Sequence, residues 1–322
     1  MEEVSVKVKR GNTAARAIAT AIFLFISVAH GGEPAASERR PSAPAKPTEV
    51  KVGVYVLNMG KLDVTSGAFS VDFYLSLKSD GGEVPETFEF LNGRAASIEK
   101  IEDKPNEKFY RIMANLSSPI NFQRFPFDSQ KLQIAIEDKQ KKIDELVYVP
   151  DETENGMDPG IFFPGWNITG YYAASSRHDY PTYNETFSKY VFAVNIERIK
   201  LNSFIKTFLP IMFMMLIVAS SFILNPDQSN TRLATISSSL VAAAMFHISI
   251  SNQIPPVAYL TFADKFMLMT YFILLSSFFL NIAIFVLQSR EKKEPAARFH
   301  RLSKAIVFIG MPLFYAGLFL LG

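Results

Sequence analysis

The chain has 322 residues, enough for two domains, and its formal net charge is +2. This near-neutral balance gives no electrostatic basis for binding nucleic acid, and we expect no such partner. The sequence has no cysteine, which excludes disulfides, thiolate metal sites and a cysteine nucleophile. Its four histidines stand far apart, at positions 30, 178, 247 and 300, so we expect neither a metal site nor a cofactor.

The first 32 residues resemble a secretory signal peptide. A basic leader precedes the short apolar core "AIATAIFLFISVA", and small residues follow it. An uncleaved anchor helix is the alternative, but this core is shorter than the roughly 20 residues that a bilayer span requires. The Pro- and Ala-rich residues 33–49 are then predicted to be a disordered linker.

Residues 50–200 are predicted to form an all-β domain outside the membrane. Runs such as "VKVGVYVLNM" and "AFSVDFYLSL" alternate apolar and polar residues, and turn-forming residues separate them. No helix-length periodic segment interrupts these short strands. The pattern favours an antiparallel, immunoglobulin-like sandwich.

Residues 201–322 are predicted to form an all-α transmembrane domain. Long stretches without Asp, Glu, Lys or Arg approach the length of a bilayer span. They predict four helices, at about 203–224, 230–253, 262–288 and 303–321. The segment "SREKKEPAARFHRLSK" between the last two is strongly basic, so the positive-inside rule places it in the cytoplasm. The β domain is then extracellular or periplasmic, and the chain is expected in the cell (inner) membrane.

The second predicted helix, "NTRLATISSSLVAAAMFHISISNQ", is too polar to face lipid on all sides. It holds several hydroxyl residues and a histidine, and polar groups in hydrocarbon are costly unless they face protein or water. Residues spaced alternately by four and three positions lie on one face of a helix. That face carries Ala234, Ser238, Val241, Met245, Ile248 and Asn252.

This face is compatible with a pore or with an ordinary helix-packing surface. Several copies of the helix around a symmetry axis could enclose a pore, and the bulky belt of Val241, Met245 and Ile248 would then gate it by dewetting. Small and hydroxyl residues are also favoured at close contacts between helices. The pattern alone leaves both interpretations open.

The segment "NFQRFPFDSQ", residues 121–130, places a proline between two phenylalanines with charges on both sides. In a chain whose β-rich domain is followed by four membrane helices, this segment resembles the signature loop of the pentameric ligand-gated ion channels, the Cys-loop receptor superfamily. The chain looks most similar to the cysteine-free bacterial branch, because Ser118 and Leu132 occupy the positions of the two cysteines of animal relatives. Further matching motifs are "GWNI" (165–168), Arg198 before the first membrane helix, "LP" (209–210) and "NQIPPVAY" (252–259).

The resemblance implies a homopentamer of identical subunits in a lipid bilayer, gated by a small-molecule agonist or by protons and conducting ions. The six-residue face of the second helix then matches the pore-lining positions. The signature loop is expected at the base of the sandwich, where it couples the two domains. Without that role, the loop would be a turn capped by surface charges of little energetic value.

The coupling residues that the resemblance implies include aromatic, proline and charged side chains. They are Asp63, Arg124, Phe125, Pro126, Phe127, Asp128, Arg198, Pro255 and Tyr259. The four charged members are expected to form one ionic cluster. The two phenylalanines are expected to reach the membrane boundary, and Pro126 to fix the turn, with a cis bond as one way of doing so.

The segment before the pore helix departs from the family pattern. Cation-selective relatives place a glutamate there and anion-selective relatives place Pro-Ala, whereas this chain has "DQSNTR". Arg232 at the end of this segment is expected to point away from the pore axis. We predict passage of monovalent cations, with an anion-selective channel as the alternative.

The agonist site also departs from the pattern, because the segment after "YLSLKSD" is shortened and part of the usual pocket wall is missing. In "SRHDYPTYNETF" (176–187), the loop expected to fold over an agonist, Tyr180 and Tyr183 are the agonist-site candidates. Their rings would suit an ammonium ligand by cation–π attraction, although exposed tyrosines are common without a ligand. For protons the candidate is His247, since histidine titrates near neutral pH; its alternative role is a hydrogen bond between helices.

Functions of other classes fit the sequence less well. It has no G-x-S-x-G, no H-E-x-x-H, no phosphate-binding glycine loop and no cysteine nucleophile, so no catalytic residue is assigned and an enzyme is not expected. A membrane-anchored β-sandwich sensor without a pore is the remaining alternative. Anchoring needs only one helix, so four helices with a hydroxyl-rich second one favour the channel.

Overall fold

The structure is a computed structural model, and it describes residues 46–321. The predicted signal peptide and most of the predicted linker lie outside the described residues. The first strand begins at Thr48, so the prediction of a linker up to residue 49 is wrong at its end. Thr48 is drawn into the sheet because it pairs in parallel with Leu146.

The first domain contains ten strands in the described residues. They are β1 (Thr48–Met59), β2 (Ala68–Ser79), β3 (Phe88–Phe90), β4 (Gly93–Lys104), β5 (Glu107–Ser117), β6 (Ser129–Asp138), β7 (Leu146–Pro150), β8 (Gly156–Met157), β9 (Trp166–Tyr180) and β10 (Glu185–Arg198). One sheet has the order β4-β5-β2-β1-β7, with β8 paired to β1, and the other has the order β3-β6-β10-β9. The β-sandwich predicted from the alternating runs is confirmed.

The core of the sandwich follows from the two-residue period of its strands. On β1, every second residue from Val50 to Val56 is fully buried, whereas Lys51 and Tyr55 between them are exposed. Apolar residues of both sheets contribute to one continuous core. Removal of this apolar surface from water is the main force that holds the two sheets together.

The second domain contains six helices in the described residues. They are α1 (Lys200–Thr207), α2 (Leu209–Ser221), α3 (Ser229–Ser251), α4 (Phe262–Ser289), α5 (Lys293–Ala305) and α6 (Met311–Leu321). A 3-10 turn, Pro226–Gln228, precedes α3, and a π-helical segment, Ile306–Gly310, joins α5 to α6. By length and composition, three continuous helices can cross a membrane: Pro226–Ser251, Phe262–Ser289 and Glu294–Leu320.

The first predicted membrane helix, 203–224, is not one straight helix. α1 and α2 are bent by 43° relative to each other, and only the two together qualify as a fourth span. The break lies at Phe208, two residues before Pro210. Proline has no N–H to donate to the carbonyl four residues earlier, which weakens the helix at this point.

The fourth predicted helix begins earlier than expected. The basic segment predicted as a loop before residue 303 is helical from Lys293 and continues through the π-helical segment into α6. Alanine, leucine, lysine and arginine, which are frequent here, all have high helix propensity. α5 also packs against α4, with Ala296 and Ser303 buried. Only residues 290–292 connect α4 to α5, so the prediction of a longer loop is wrong.

Candidate functional site

The predicted pore face of α3 is an exposed face of that helix. All six of its residues, from Ala234 to Asn252, are exposed in the single chain. Among them, Val241 is 65% exposed, Met245 66% and Ile248 57%. A row of large apolar side chains that are more than half exposed marks a surface that another chain, lipid or a lumen must face.

The opposite face of α3 is buried against α2 and α4. It carries Arg232, Ile236, Ser239, Ala243 and Ile250. The fully buried Arg232 therefore lies away from the exposed face. At the start of the helix, Asn230 and Thr231 are exposed, and Asp227 accepts a hydrogen bond from Gln288 Nε2 at 3.1 Å. The exposed end of α3 thus presents neutral side chains, with an acid nearby.

The signature loop, residues 121–130, caps the start of α4. Phe262 N donates a hydrogen bond to Gln123 O at 2.9 Å, and Ala263 N donates to Phe125 O at 3.0 Å. The first amides of a helix have no partner within the helix, so the loop carbonyls satisfy donors that would otherwise be unpaired. The loop and the helical domain are therefore joined through backbone groups, independently of side-chain identity.

The two phenylalanines of the loop both contact the helical domain. Phe125, joined to Pro126 by a cis peptide bond, is buried in the apolar core of the helical domain. Phe127 is half-buried, and its ring centroid lies 5.6 Å from that of Phe208 and 5.9 Å from that of Phe262. These aromatic contacts connect the loop to α4 and to the break between α1 and α2.

The loop also contacts the segment between α3 and α4. Phe122 N donates a hydrogen bond to the Tyr259 hydroxyl oxygen at 3.0 Å. Pro255 lies in the same segment and is partly buried. A displacement of the loop would therefore be transmitted to the residues that directly follow α3.

Asp128 and Arg198 form an ion pair. Arg198 Nε lies 2.6 Å from Asp128 Oδ1, and the Asp128 side chain is 1% exposed. The second carboxylate oxygen accepts a hydrogen bond from Gln130 Nε2 at 2.6 Å. The guanidinium lies over the rings of Trp166 and Phe125, with centroid distances of 4.5 Å and 5.2 Å. The last residue of the sandwich is thereby tied to the loop that caps α4.

Asp63 and Arg124 do not join this ion pair. The Asp63 carboxylate accepts hydrogen bonds from Ser66 Oγ at 2.6 Å and from Thr65 N at 2.9 Å, within its own turn. The Ser66 hydroxyl, and next the Thr65 amide, hold the pKa of Asp63 below its usual range. Arg124 is exposed at the rim of a surface pocket. Because local bonds satisfy Asp63, the predicted four-residue ionic cluster is reduced to the Asp128–Arg198 pair in the described structure.

The two agonist-site candidates lie in the β9–β10 hairpin, one at the end of β9 and the other in the turn. β9 runs to Tyr180 and β10 begins at Glu185, so the predicted loop 176–187 is mostly strand. Tyr183 is 73% exposed at the tip, whereas the Tyr180 hydroxyl donates a hydrogen bond to Glu137 Oε1 at 2.9 Å. Continued pairing of the strands keeps the loop too short for an irregular flap.

Tyr180 belongs to a cluster that the sequence pattern does not reveal. Glu137 on β6 is almost fully buried, and its other oxygen lies 2.7 Å from His178 Nδ1. The rings of His178 and Tyr180 are 4.5 Å apart. Burial, together with the bond to Glu137, raises the pKa of Tyr180 to about 12. Glu137 and His178 meet because β6 and β9 lie on either side of β10.

His247 links α3 to α4, which confirms the interhelical hydrogen bond considered from the sequence. Its Nδ1 lies 3.2 Å from the Tyr271 hydroxyl oxygen, and its Nε2 lies 3.2 Å from Asp264 Oδ1. Asp264 also accepts a hydrogen bond from Thr261 N at 2.9 Å, as part of the capping box that begins α4. A titratable acid–base pair thus stands directly beside Ile248 of the predicted gate.

The fold and these contacts define an integral membrane protein in which a β-sandwich is joined through a capping loop to apolar helices. Within residues 46–321, no group of three or more histidine and acidic residues could hold a metal ion.

No protein-family model matches the chain. The chain is 25% identical over 257 residues to a proton-gated ion channel of Gloeobacter violaceus, and the match covers 72% of this chain and 71% of that protein. This relationship confirms the resemblance to the bacterial pentameric ligand-gated ion channels that the loop and its accompanying motifs indicate. The relative is an ion channel, so the expectation that the chain is not an enzyme is also confirmed.

Proposed function

We propose that the chain is the subunit of a homopentameric ion channel whose pore is lined by α3. The observation that carries the proposal is the exposed face of α3, where bulky apolar side chains are more than half exposed in a single subunit. Five copies around an axis would turn these faces toward a common lumen, while the opposite faces stay packed on α2 and α4. Similarity to an ion channel supports the same assignment.

Val241, Met245 and Ile248 are the proposed resting gate. A ring of bulky apolar side chains excludes water when it is narrow, and ions cannot cross without water or replacement ligands. Ala234 and Ser238 would line the part of the pore nearer the base of α3. The belt lies between Ser238 and Asn252 on this face, and none of the face's residues between those two is polar.

The proposed orientation puts the sandwich outside the cell membrane and the α4–α5 connection in the cytoplasm. Exposed cations cluster around that connection. They are Arg290, Lys292, Arg298, Arg301 and Lys304. Lysine and arginine near the ends of membrane spans favour the cytoplasmic side.

Monovalent cations are the proposed permeant ions. An anion-selective channel, the alternative, needs positive charge at the mouth, and Arg232 is buried on the far side of α3. The exposed residues at the start of the helix, Asn230 and Thr231, are neutral, and the nearby charge of Asp227 is negative. This arrangement favours cations weakly, because no ring of acids stands directly at the mouth.

Protons are favoured over a small amine as the stimulus. Of the two tyrosines proposed for an amine site, one is exposed at the hairpin tip and the other is bonded to a glutamate, whereas two histidines each lie against a carboxylate. His178 Nδ1 is 2.7 Å from Glu137 and His247 Nε2 is 3.2 Å from Asp264. Protonation would turn each contact into an ion pair, so acid would strengthen both. The similar Gloeobacter violaceus protein is itself proton-gated.

The test is the current of purified protein in planar bilayers as the sandwich side is acidified from about pH 7.5 to about pH 4.5. We expect an acid-evoked current whose reversal potential in asymmetric sodium chloride lies near that of sodium. A potential near that of chloride would instead support the anion-selective alternative. Monodisperse, membrane-inserted protein that passes no current with acid or with small amines would favour the sensor without a pore.

A further inference from the structure

The base of α3 holds a buried cation without an anionic partner. The fully buried Arg232 donates hydrogen bonds from Nη2 to Leu224 O at 2.7 Å and to Phe222 O at 3.3 Å. Its Nη1 lies 3.3 Å from Asn281 Oδ1, and its Nε has no partner. Among the residues that the structure describes, no carboxylate lies within salt-bridge distance of this guanidinium. A buried charge of this kind depends on the neutral dipoles around it staying in place.

His300 on α5 is one of those dipoles. Arg232 Nη2 lies 3.1 Å from its Nδ1 and 3.4 Å from its Nε2. A guanidinium can only donate hydrogen bonds, so a ring nitrogen that accepts from it must be unprotonated, and the contact requires a neutral imidazole. The His300 side chain is only half-buried, so protons from solvent can reach it.

Within residues 46–321, no acidic side chain lies within salt-bridge distance of His300 to stabilise a proton. Arg232 on α3 and Lys304 on α5 are cations, and the α4 side chain bonded to the same guanidinium is the neutral Asn281. Asp227, in the 3-10 turn before α3, is engaged by an amide of α4 instead. A proton on His300 would remove the acceptor and bring two positive charges to the distance of a hydrogen bond. The contact would change from attractive to repulsive.

The other two histidines in the described part of the chain have the opposite setting. His178 and His247 each lie against a carboxylate, so a proton adds attraction there. We propose that Arg232 and His300 form an acid-sensitive tie between the base of the pore helix and α5, which cytoplasmic acid loosens while external acid strengthens the other two contacts. The sidedness of this response rests on the proposed function, whereas the tie itself does not.

The tie is tested by the melting temperature of the detergent-solubilised, full-length protein at about pH 7.5 and about pH 5.5. His300→Asn keeps an acceptor near the position of Nδ1 but cannot be protonated. Acidification should lower the melting temperature of both proteins. The decrease in the wild type should exceed the decrease in this variant by about 3 °C or more. His178→Gln is the matched control, and acidification should lower its melting temperature by at least as much as that of the wild type.

Equal losses in the wild type and His300→Asn would overturn the proposal. If His300→Asn does not give monodisperse protein, His300→Arg provides the test, because it places a permanent charge beside Arg232. That variant should melt below the wild type at about pH 7.5, by about 3 °C or more. A variant as stable as the wild type at that pH would also overturn the tie.

Currents test the functional consequence separately. With external pH held constant, lowering cytoplasmic pH from about 7.5 to about 5.5 should change the open fraction of the wild type at least about twofold. His300→Asn should show less than half of that change and keep the response to external acid. Equal cytoplasmic responses in the two proteins would refute a role for the tie in gating. If no variant conducts, the proposed function fails, and the melting comparison still decides the tie.

Discussion

Breaking the Asp128–Arg198 pair should destabilise the protein more than breaking a surface pair of the same chemistry. The Asp128 side chain is 1% exposed in the intact pair, and removal of Arg198 leaves its Oδ1 unpartnered with only Gln130 bonded to Oδ2. Breaking a buried pair from one side costs about 3–5 kcal/mol. For Arg198→Met we expect a loss of unfolding free energy near the lower end of this range, about 3 kcal/mol. The hydrogen bond from Gln130 is retained, and methionine preserves much of the packing on Trp166.

Asp128→Asn should cost less, about 2 kcal/mol. The Arg198 side chain is 20% exposed, so water can replace part of the lost contact, and its guanidinium keeps the aromatic rings beside it. In the double variant neither charge is left buried without its partner. The combined loss should therefore fall short of the sum of the single losses by about 2 kcal/mol.

The control is the Asp72–Arg111 pair on the sandwich surface. Its N···O distance is 2.9 Å, but the Arg111 side chain is 47% exposed, so Arg111→Met should cost no more than about 1 kcal/mol. The assay is the melting temperature of the detergent-solubilised protein, where roughly 2 °C corresponds to 1 kcal/mol. Arg198→Met should then lower it by about 6 °C and Arg111→Met by about 2 °C or less. Equal small shifts, or additive effects in the double variant, would refute the reasoning.

Three further substitutions test the proposed channel. Val241→Ser should hydrate the apolar belt and raise the current at rest, and a variant that closes as tightly as the wild type would place the gate elsewhere. Thr231→Glu should raise single-channel cation conductance by adding acids at the mouth, and an unchanged conductance would put this position outside the ion path. His247→Gln should lower the pH of half-activation by about half a unit or more, because the Asp264 contact can no longer become an ion pair. An unaltered pH response would leave His247 with a structural role alone.

Local patterns in the sequence determine the two domains and the exposed face of α3. Alternation with a period of two predicts the strands whose inner residues, such as Val50 and Val54, are fully buried. Spacings of four and three predict that Ala234 and Asn252 share one face, and both are exposed. Such periodicities relate residues close in the chain, so they can be recognised without knowledge of the tertiary structure.

Element boundaries follow the sequence less closely, because packing competes with local preference. Apolar composition alone predicts one helix over 203–224, yet Pro210 removes a backbone donor and the helix breaks at Phe208. Strong charge predicts a loop before residue 303, yet high helix propensity and contact with α4 make the segment helical from Lys293.

Only the tertiary structure decides which polar groups meet. A buried polar group must find a partner, but no local pattern says which distant residue supplies it. The carbonyl of Phe125 meets α4 because the loop docks on that helix. Glu137 meets His178 because their strands, β6 and β9, both pair with β10 and lie on either side of it. Arg232 meets His300 because α3 and α5 converge at the base of the helical domain. These partners are tens of residues or more apart in the chain. Their contacts depend on how the elements pack, which local sequence patterns cannot predict.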